Sequence, residues 1–205
     1  MKIILLLINL ALAQLLSAQD YDQNMQKALE SWHTGNAVEA SAQFEKIADS
    51  TKDKWLPNYY VGLVNATEAF KVQDYNQADA MLKKGQTALD TELAKSPENP
   101  ELLVVQALIY TAYLAKDPAM NGQLYYPKVS EIYAKAMAIA PENPRVVMEK
   151  AMFEMESAKY VGGDTQAICA DLQRAKQLLD TFKSEEAFYP TWGKEQLERA
   201  MATCE

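Results

Sequence analysis

Apolar residues recur every three or four positions along most of the chain, which is the spacing of one face of an α-helix. In the first such stretch Met25, Ala28, Leu29 and Trp32 fall on one face. Turn residues and prolines separate the stretches, and no run of alternating β-branched residues indicates a strand. The pattern predicts an all-α chain with nine helices, near residues 21–33, 37–47, 57–72, 76–95, 100–115, 128–140, 144–161, 165–182 and 191–204.

The tetrapeptide Pro-Glu-Asn-Pro occurs twice, at residues 97–100 and 141–144, so its copies are 44 residues apart. Pro57 lies 43 residues before Pro100. We expect the first proline of each copy to close one pair of helices. The second should open the next pair, because proline is tolerated in the first turn of a helix. A fixed period of this size is typical of a repeat array, in which each unit stacks on its neighbour.

Small and aromatic residues recur in each predicted pair of helices. The four units show Ala28, Gly35, Ala40 and Phe44; Ala66, Asp74, Tyr75 and Ala78; Ala107, Tyr110, Tyr133, Ala136 and Pro141; and Ala151, Tyr160, Gly162, Gly163, Asp164 and Ala167. This order resembles the tetratricopeptide repeat. The resemblance implies a right-handed α-α superhelix of about four helical hairpins plus a C-terminal capping helix. It implies one domain over residues 19–205, with units 21–54, 55–97, 98–141 and 142–183 and a cap at 184–205.

The period of about 43 residues exceeds the roughly 34 residues of that family. In the second unit the surplus lengthens the second helix, and in the third it forms an insertion at residues 117–127, with an irregular loop at 117–122. The chain end at 160–164 and 190–193 resembles a group of exported repeat proteins from Bacteroidota, in which a Gly-Gly-Asp turn and a Pro-x-Trp-Gly element close the array. That resemblance implies an architecture and a location, but not a reaction.

The tetratricopeptide resemblance also implies a binding surface, because the first helices of such repeats line a concave groove. A peptide or the tail of a partner protein would lie there, and the lining side chains would have to be exposed. The first functional hypothesis is therefore a non-enzymatic scaffold for protein or peptide binding in the cell envelope. By alignment with the family, the groove would include Tyr60, Leu63, Thr67, Val104, Leu108, Arg145 and Met148.

The insertion offers an alternative surface. Exposed apolar patches mark interaction sites, and Tyr125 and Tyr126 are the candidate contacts. On this second hypothesis the protein is a structural or assembly subunit of an envelope complex and packs through residues 117–127. The competing interpretation is that the insertion only folds over the repeat core.

Residues 1–18 have the pattern of a secretory signal peptide: a basic start at Lys2, an apolar stretch, and small residues before Gln19. The apolar stretch is shorter than the roughly 20 residues that span a bilayer. We predict cleavage after Ala18, with Ala13 as a second option and an uncleaved anchor or a buried first helix as the alternative. The mature protein is expected to be periplasmic or secreted, without membrane insertion.

The composition is 49% hydrophobic and 23% charged, which is typical of a globular protein. The formal net charge is −8, and an acidic surface repels phosphate backbones, so nucleic acid is not an expected partner. The sequence contains no block of like charges that would indicate a specific acidic patch. We interpret the acidity as a solubility feature.

No constellation of nucleophile, base or metal ligands is evident, so we predict no catalytic residues, no metal and no cofactor. His33 is the only histidine, and at a predicted helix end it is expected to complement the helix dipole or to lie on the surface. Met148, Met152 and Met155 share one helix face. They are interpreted as core packing, with an adaptable binding surface as the alternative.

The chain has two cysteines, and an even number in an exported protein favours a disulfide. Cys169 lies 13 residues before Phe182, and Cys204 lies 12 residues after Trp192. At about 1.5 Å per residue, both would lie about 18–20 Å from the connecting loop, and thus level in antiparallel helices. The spacing predicts a Cys169–Cys204 bridge, and the alternative is two buried thiols.

Overall fold

The computed structural model describes residues 19–204, and its regular structure is entirely helical. Nine α-helices and one short 3₁₀-helix occur within this range. They are α1 (19–33), α2 (Ala37–Ser50), α3 (Leu56–Lys71), α4 (Tyr75–Leu93), α5 (Pro100–Lys116), α6 (Pro118–Ile139), α7 (Pro144–Val161), α8 (Thr165–Thr181), α9 (Lys194–Met201) and the 3₁₀-helix Ala202–Cys204. The predicted signal peptide lies outside the described residues.

The helices form an all-α solenoid of hairpins, as the sequence predicted. From α2 onward each helix packs on its neighbour in the chain, and α3, α5 and α7 also pack in a row along the array. The hairpin of α3 and α4 is especially close at its middle. A Cβ added to Gly85 would lie 3.3 Å from the Gly62 carbonyl oxygen, so two glycines allow the backbones to approach.

The two Pro-Glu-Asn-Pro copies start α5 and α7 by the same local chemistry. Asn99 caps α5 by accepting hydrogen bonds from the backbone N–H groups of Glu101 and Leu102. Asn143 caps α7 in the same way, and each second proline occupies the first helical turn. Asparagine satisfies the free N–H groups of the first turn, and proline has none to satisfy there. The predicted helix starts at Pro100 and Pro144 are confirmed.

The prediction of an insertion at 117–127, with an irregular loop at 117–122, is wrong. These residues form the first turns of α6, which runs from Pro118 to Ile139 with Pro127 inside it. The Asp117 side chain caps the helix by accepting from the Met120 N–H, and Pro118 sits in the first turn. The extra length of this unit is therefore an extended second helix, as in the second unit.

Most buried apolar residues form one continuous core that runs from α1 to Val146 at the start of α7, and a second cluster joins α7, α8 and α9. Met148 is buried in the second cluster, and Met152 and Met155 pack against it. The methionine face is therefore core packing. No described helix combines the length and the apolar character needed to cross a bilayer.

Between α8 and α9 the chain runs without a helix from residue 182 to residue 193. We call this segment the strap. At its end Gly193 adopts a φ of 118°, a left-handed conformation that favours glycine. Gly193 directly precedes the last helix, which therefore begins at Lys194 instead of residue 191 as predicted. A disulfide joins Cys169 of α8 to Cys204 just beyond α9, across a sequence separation of 35.

The disulfide is expected to stabilise the closed end of the array. A crosslink over a loop of this length contributes about 2–4 kcal/mol to the free energy of unfolding, mainly by restricting the unfolded chain. We expect the C169S/C204S double variant to lose that amount in urea unfolding. Intact mass of the purified native protein should rise by two hydrogen atoms on reduction. Two alkylatable thiols in unreduced protein would contradict the assignment.

Candidate functional site

The residues predicted to line an open groove are mostly buried. Thr67 is half-buried, and its hydroxyl bonds within its own helix, to the Leu63 carbonyl oxygen. The prediction of an exposed groove is therefore corrected. The other six side chains have between 0% and 8% of their surface exposed: Tyr60, Leu63, Val104, Leu108, Arg145 and Met148.

The strap is one reason for this burial, because it lies on the face shared by the first helices of the hairpins. The Phe188 ring meets Tyr21 of α1 edge-on, with centroids 6.0 Å apart. The Tyr60 hydroxyl of α3 donates to the Phe188 carbonyl oxygen at 2.8 Å. The Trp192 indole N–H donates to the Tyr59 hydroxyl at 2.7 Å. The place that the sequence assigned to a partner peptide is thus occupied by a segment of the same chain.

A buried ion pair links α5 and α7 beneath the strap. The Arg145 Nε donates to Glu101 Oε2 and its Nη2 to Oε1, both at 2.7 Å, and both side chains are fully buried. Asn143 Nδ2 adds a third hydrogen bond to Glu101 Oε1 at 2.7 Å. Glu101 and Arg145 each follow a Pro-Glu-Asn-Pro copy directly. The pair therefore joins equivalent positions of successive repeats.

The strap completes the surroundings of this pair. The Tyr189 hydroxyl donates to Glu101 Oε1 at 3.3 Å, and the Arg145 guanidinium lies 4.7 Å from the centre of the Phe182 ring. Burial lowers the pKa of Arg145, but hydrogen bonds to Glu101 and its charge more than offset that effect and raise the pKa. Arg145 therefore stays charged. Its Nη1 is buried without a hydrogen-bond partner among the described residues.

An open aromatic cleft remains between the strap, α1 and α3. Its volume is about 630 Å³, within the range of about 300–1,000 Å³ that is usual for small-molecule sites. Ring systems and other apolar groups form most of its walls, and a few polar groups lie among them. The lining residues are Leu29, Trp32, His33, Tyr60, Phe182, Lys183, Ser184, Glu186, Phe188, Tyr189, Pro190, Thr191 and Trp192.

A second, shallower cleft of about 570 Å³ lies on the other side of Tyr189. It is lined by Trp55, Tyr189, Glu186 and the first Pro-Glu-Asn-Pro copy with Ser96. Two carboxylates, Glu98 and Glu186, line it without a cationic side chain. Glu186 accepts a hydrogen bond from the Trp55 indole at 2.9 Å. Glu186 lines the aromatic cleft as well, but Lys183 offsets its charge there, so the aromatic cleft is better suited to an anionic ligand.

The two tyrosines of the predicted insertion lie on α6 and pack against neighbouring helices. Tyr125 stacks on Tyr113 with ring centroids 5.1 Å apart. The Lys128 Nζ lies 5.4 Å from the centre of the Tyr125 ring. Tyr126 packs on Phe153 at 5.4 Å. The more exposed side chains of this segment are Met120 and Leu124 instead.

Several apolar side chains are exposed along the edge where the two helices of each hairpin meet. The ends of α3 and α5 are adjacent there, because Lys116 Nζ donates to the Phe70 and Val72 carbonyl oxygens. The exposed apolar residues near the helix ends on this edge are Val38, Phe70, Tyr75, Met120, Tyr160 and Val161, and Leu124 lies in the second turn of α6. We call them the apolar edge.

Glu149 is a buried carboxyl group on α7, outside the clefts. Burial raises its pKa from 4.5 to about 7. The folded protein therefore binds a proton more tightly than the unfolded chain does. The contribution of Glu149 to the free energy of unfolding is therefore expected to be largest below about pH 4.5 and to decrease as the pH rises to about 7.

We expect Glu149→Gln to remove this pH dependence. At pH 8 the variant should be more stable than the wild type by about 1–3 kcal/mol, because one pKa unit corresponds to about 1.4 kcal/mol. At pH 4.5 the two should be similar. Urea unfolding at both pH values measures the effect, and Glu142→Gln at an exposed position is the control. Equal pH dependence of the E149Q variant and the wild type would show that Glu149 is ionised without cost.

Sequence reasoning missed the aromatic cleft. Its walls come from α1 and from the strap, which are some 150 residues apart in the chain, and the strap has no periodic pattern. The available signal was composition. The strap is rich in aromatic residues, with Phe182, Phe188, Tyr189 and Trp192.

Comparison with known proteins gives one informative similarity. The structure is similar to that of the HusA haemophore from Porphyromonas gingivalis, with a TM-score of 0.79, 20% sequence identity and 92% of each chain covered. At this identity the similarity shows the fold alone. No protein-family model and no curated protein sequence matches the chain, so the tetratricopeptide assignment stays a resemblance.

Proposed function

We propose that this chain is an exported, non-enzymatic binding protein that holds a flat aromatic ligand of the haem type in the aromatic cleft. The observation that carries the proposal is the cleft itself, which has a suitable volume and walls made of rings. Aromatic side chains stack on planar ring systems and bury a large apolar area. The similar solved structure is that of a haemophore, which makes haem the first ligand to test.

The polar groups of the cleft suit the carboxylates of such a ligand. Lys183 is exposed and lines the cleft, and Ser184 lies beside it. A few placed polar groups in an apolar pocket fix the orientation of a ligand. The predicted signal peptide supports export to the periplasm or beyond, where such a carrier would act.

The peptide-binding hypothesis takes a different form in light of the strap. An extended segment does lie on the face of the first helices, but it belongs to this chain and is tethered at both ends by α8 and α9. An external peptide would have to displace it. A small ligand in the remaining cleft requires no displacement, and we therefore favour it.

The cleft can be tested by filling it. Ser184 is exposed and lines the aromatic cleft. Its replacement by tryptophan should weaken haem binding by roughly tenfold or more, because the indole would occupy space that the ligand needs. The matched control is Ser96→Trp, which fills the second cleft from an equally exposed position. Haem titration followed by the Soret absorbance measures both. Haem binding that S96W weakens and S184W leaves intact would place the site in the second cleft.

A second candidate is a protein partner that packs on the apolar edge, as a subunit of an envelope complex. The observation in its favour is the exposure of Met120, at 80%, and of Leu124, at 51%, near the start of α6. A photo-crosslinking residue at position 120 should give one defined product in the native envelope. The same residue at Ile139, which is exposed at the opposite end of α6, should not. The same products from both positions would argue against a specific edge.

A further inference from the structure

His33 lies at the end of α1 and lines the aromatic cleft. We propose that its imidazole would coordinate the iron of a tetrapyrrole bound in this cleft, an inference that rests on the proposed function. Histidine is a common protein ligand of haem iron. The chain has no other histidine, so the structure gives this role to one residue.

The imidazole is available for coordination. His33 is exposed, and no described side chain hydrogen-bonds to its ring nitrogens, so a nitrogen lone pair can be directed to a metal. Its neighbour Trp32 stacks on it, with ring centroids 6.2 Å apart and an interplanar angle of 24°. Trp32 therefore restricts the orientation of the imidazole while leaving its edge accessible from the cleft.

The other candidate ligands of the cleft are already engaged. The Tyr60 hydroxyl donates to the Phe188 carbonyl oxygen, and burial raises its pKa, which disfavours the phenolate that iron would need. The Tyr189 hydroxyl donates to Glu101, and burial raises its pKa as well. Glu186 accepts a hydrogen bond from the Trp55 indole, and carboxylates are not among the usual protein ligands of haem iron.

The remaining polar groups are poor ligands. The ammonium of Lys183 has no lone pair, and the hydroxyls of Ser184 and Thr191 are weak donors when neutral. Of the groups that line the cleft, His33 alone combines a strong donor atom with freedom from other hydrogen bonds. The cleft would thus bind the ring by its aromatic walls and the iron through His33.

The test compares two ligands that share the ring and the carboxylates and differ in the metal. Ferric haem and metal-free protoporphyrin are titrated into wild type and His33→Ala. We expect H33A to weaken ferric haem binding by roughly tenfold or more, because loss of a group that merely supports a metal ligand already costs about 10–100-fold. Metal-free protoporphyrin should bind both proteins equally. Added imidazole should restore the Soret and electron paramagnetic resonance spectra of haem-loaded H33A.

The outcomes separate the proposed haem-binding function of the cleft from the proposed coordination of iron by His33. If wild type binds neither ligand, the proposed function fails. If wild type binds both and H33A changes neither affinity nor spectrum, the cleft binds the ring but His33 is not a ligand. If H33A weakens both ligands alike, His33 is a packing contact, and the coordination is again wrong. Because His33 is exposed at a helix end, we expect H33A to unfold at the same urea concentration as the wild type.

Discussion

Arg145→Ala is expected to lower the free energy of unfolding by about 3–5 kcal/mol, because it leaves the fully buried Glu101 carboxylate without its charged partner. Asn143 and Tyr189 would still donate hydrogen bonds to Glu101, but neither neutralises its charge. Urea unfolding followed by circular dichroism at pH 7 measures the loss. It is among the largest expected from a single substitution outside the apolar core.

The control is the double variant E101L/R145M, which replaces both charges by apolar side chains of similar size. A buried ion pair replaced in this way is often neutral or even stabilising, because neither charge has to be desolvated. We expect the double variant to recover most of the loss. A double variant as unstable as R145A would show that the cost comes from lost packing under Phe182 and Tyr189 instead of from the unpaired charge.

The same pair shows how far the sequence could lead. The 44-residue period predicted the helix starts at Pro100 and Pro144, and it places Glu101 and Arg145 at equivalent positions. Opposite charges at equivalent positions of stacked repeats indicate a contact between neighbours. The family alignment instead assigned Arg145 to an exposed groove, because it contained no information about what covers the first helices.

The helices were predictable because each depends on local periodicity and capping. The start of α9, at Lys194 instead of residue 191, and the start of α6 were misjudged. For α6, Pro118 and Pro127 suggested a loop. In the structure Asp117 caps the helix and both prolines lie within α6. The cleft was not predictable in this way. It depends on the return of the strap to α1, and a segment without periodicity carries no sequence signal for where it docks.

His33 illustrates the same limit. At the end of a helix, an isolated histidine is ordinarily a surface residue, and the sequence offered no ligand partner at a useful spacing. Its candidate role arises only when residues 182–192 bring their rings opposite α1. The candidate site thus depends on a long-range contact, while the individual helices depend on local ones.

Trp192→Ala is expected to lower the free energy of unfolding by about 3–5 kcal/mol. Trp192 packs against both core clusters, so it connects the strap to the two halves of the array. The substitution opens a cavity and also leaves the buried Tyr59 hydroxyl without its donor. Urea unfolding measures the loss, and the disulfide should keep the last helix attached to α8 meanwhile.

Two variants separate the packing of Trp192 from its hydrogen bond. W192F keeps most of the ring area, so it should lose only about 1–3 kcal/mol, the usual cost of a buried polar group left unpaired. W192F/Y59F removes both partners and should be more stable than W192F alone.

In W192A the strap should detach from the array. Trypsin should then cleave at Lys183 faster than in the wild type. Haem affinity should also fall, because the cleft loses a wall. Unchanged cleavage together with a large loss of stability would show that Trp192 supports the core without holding the strap, and Phe188 and Tyr189 would then be its anchors.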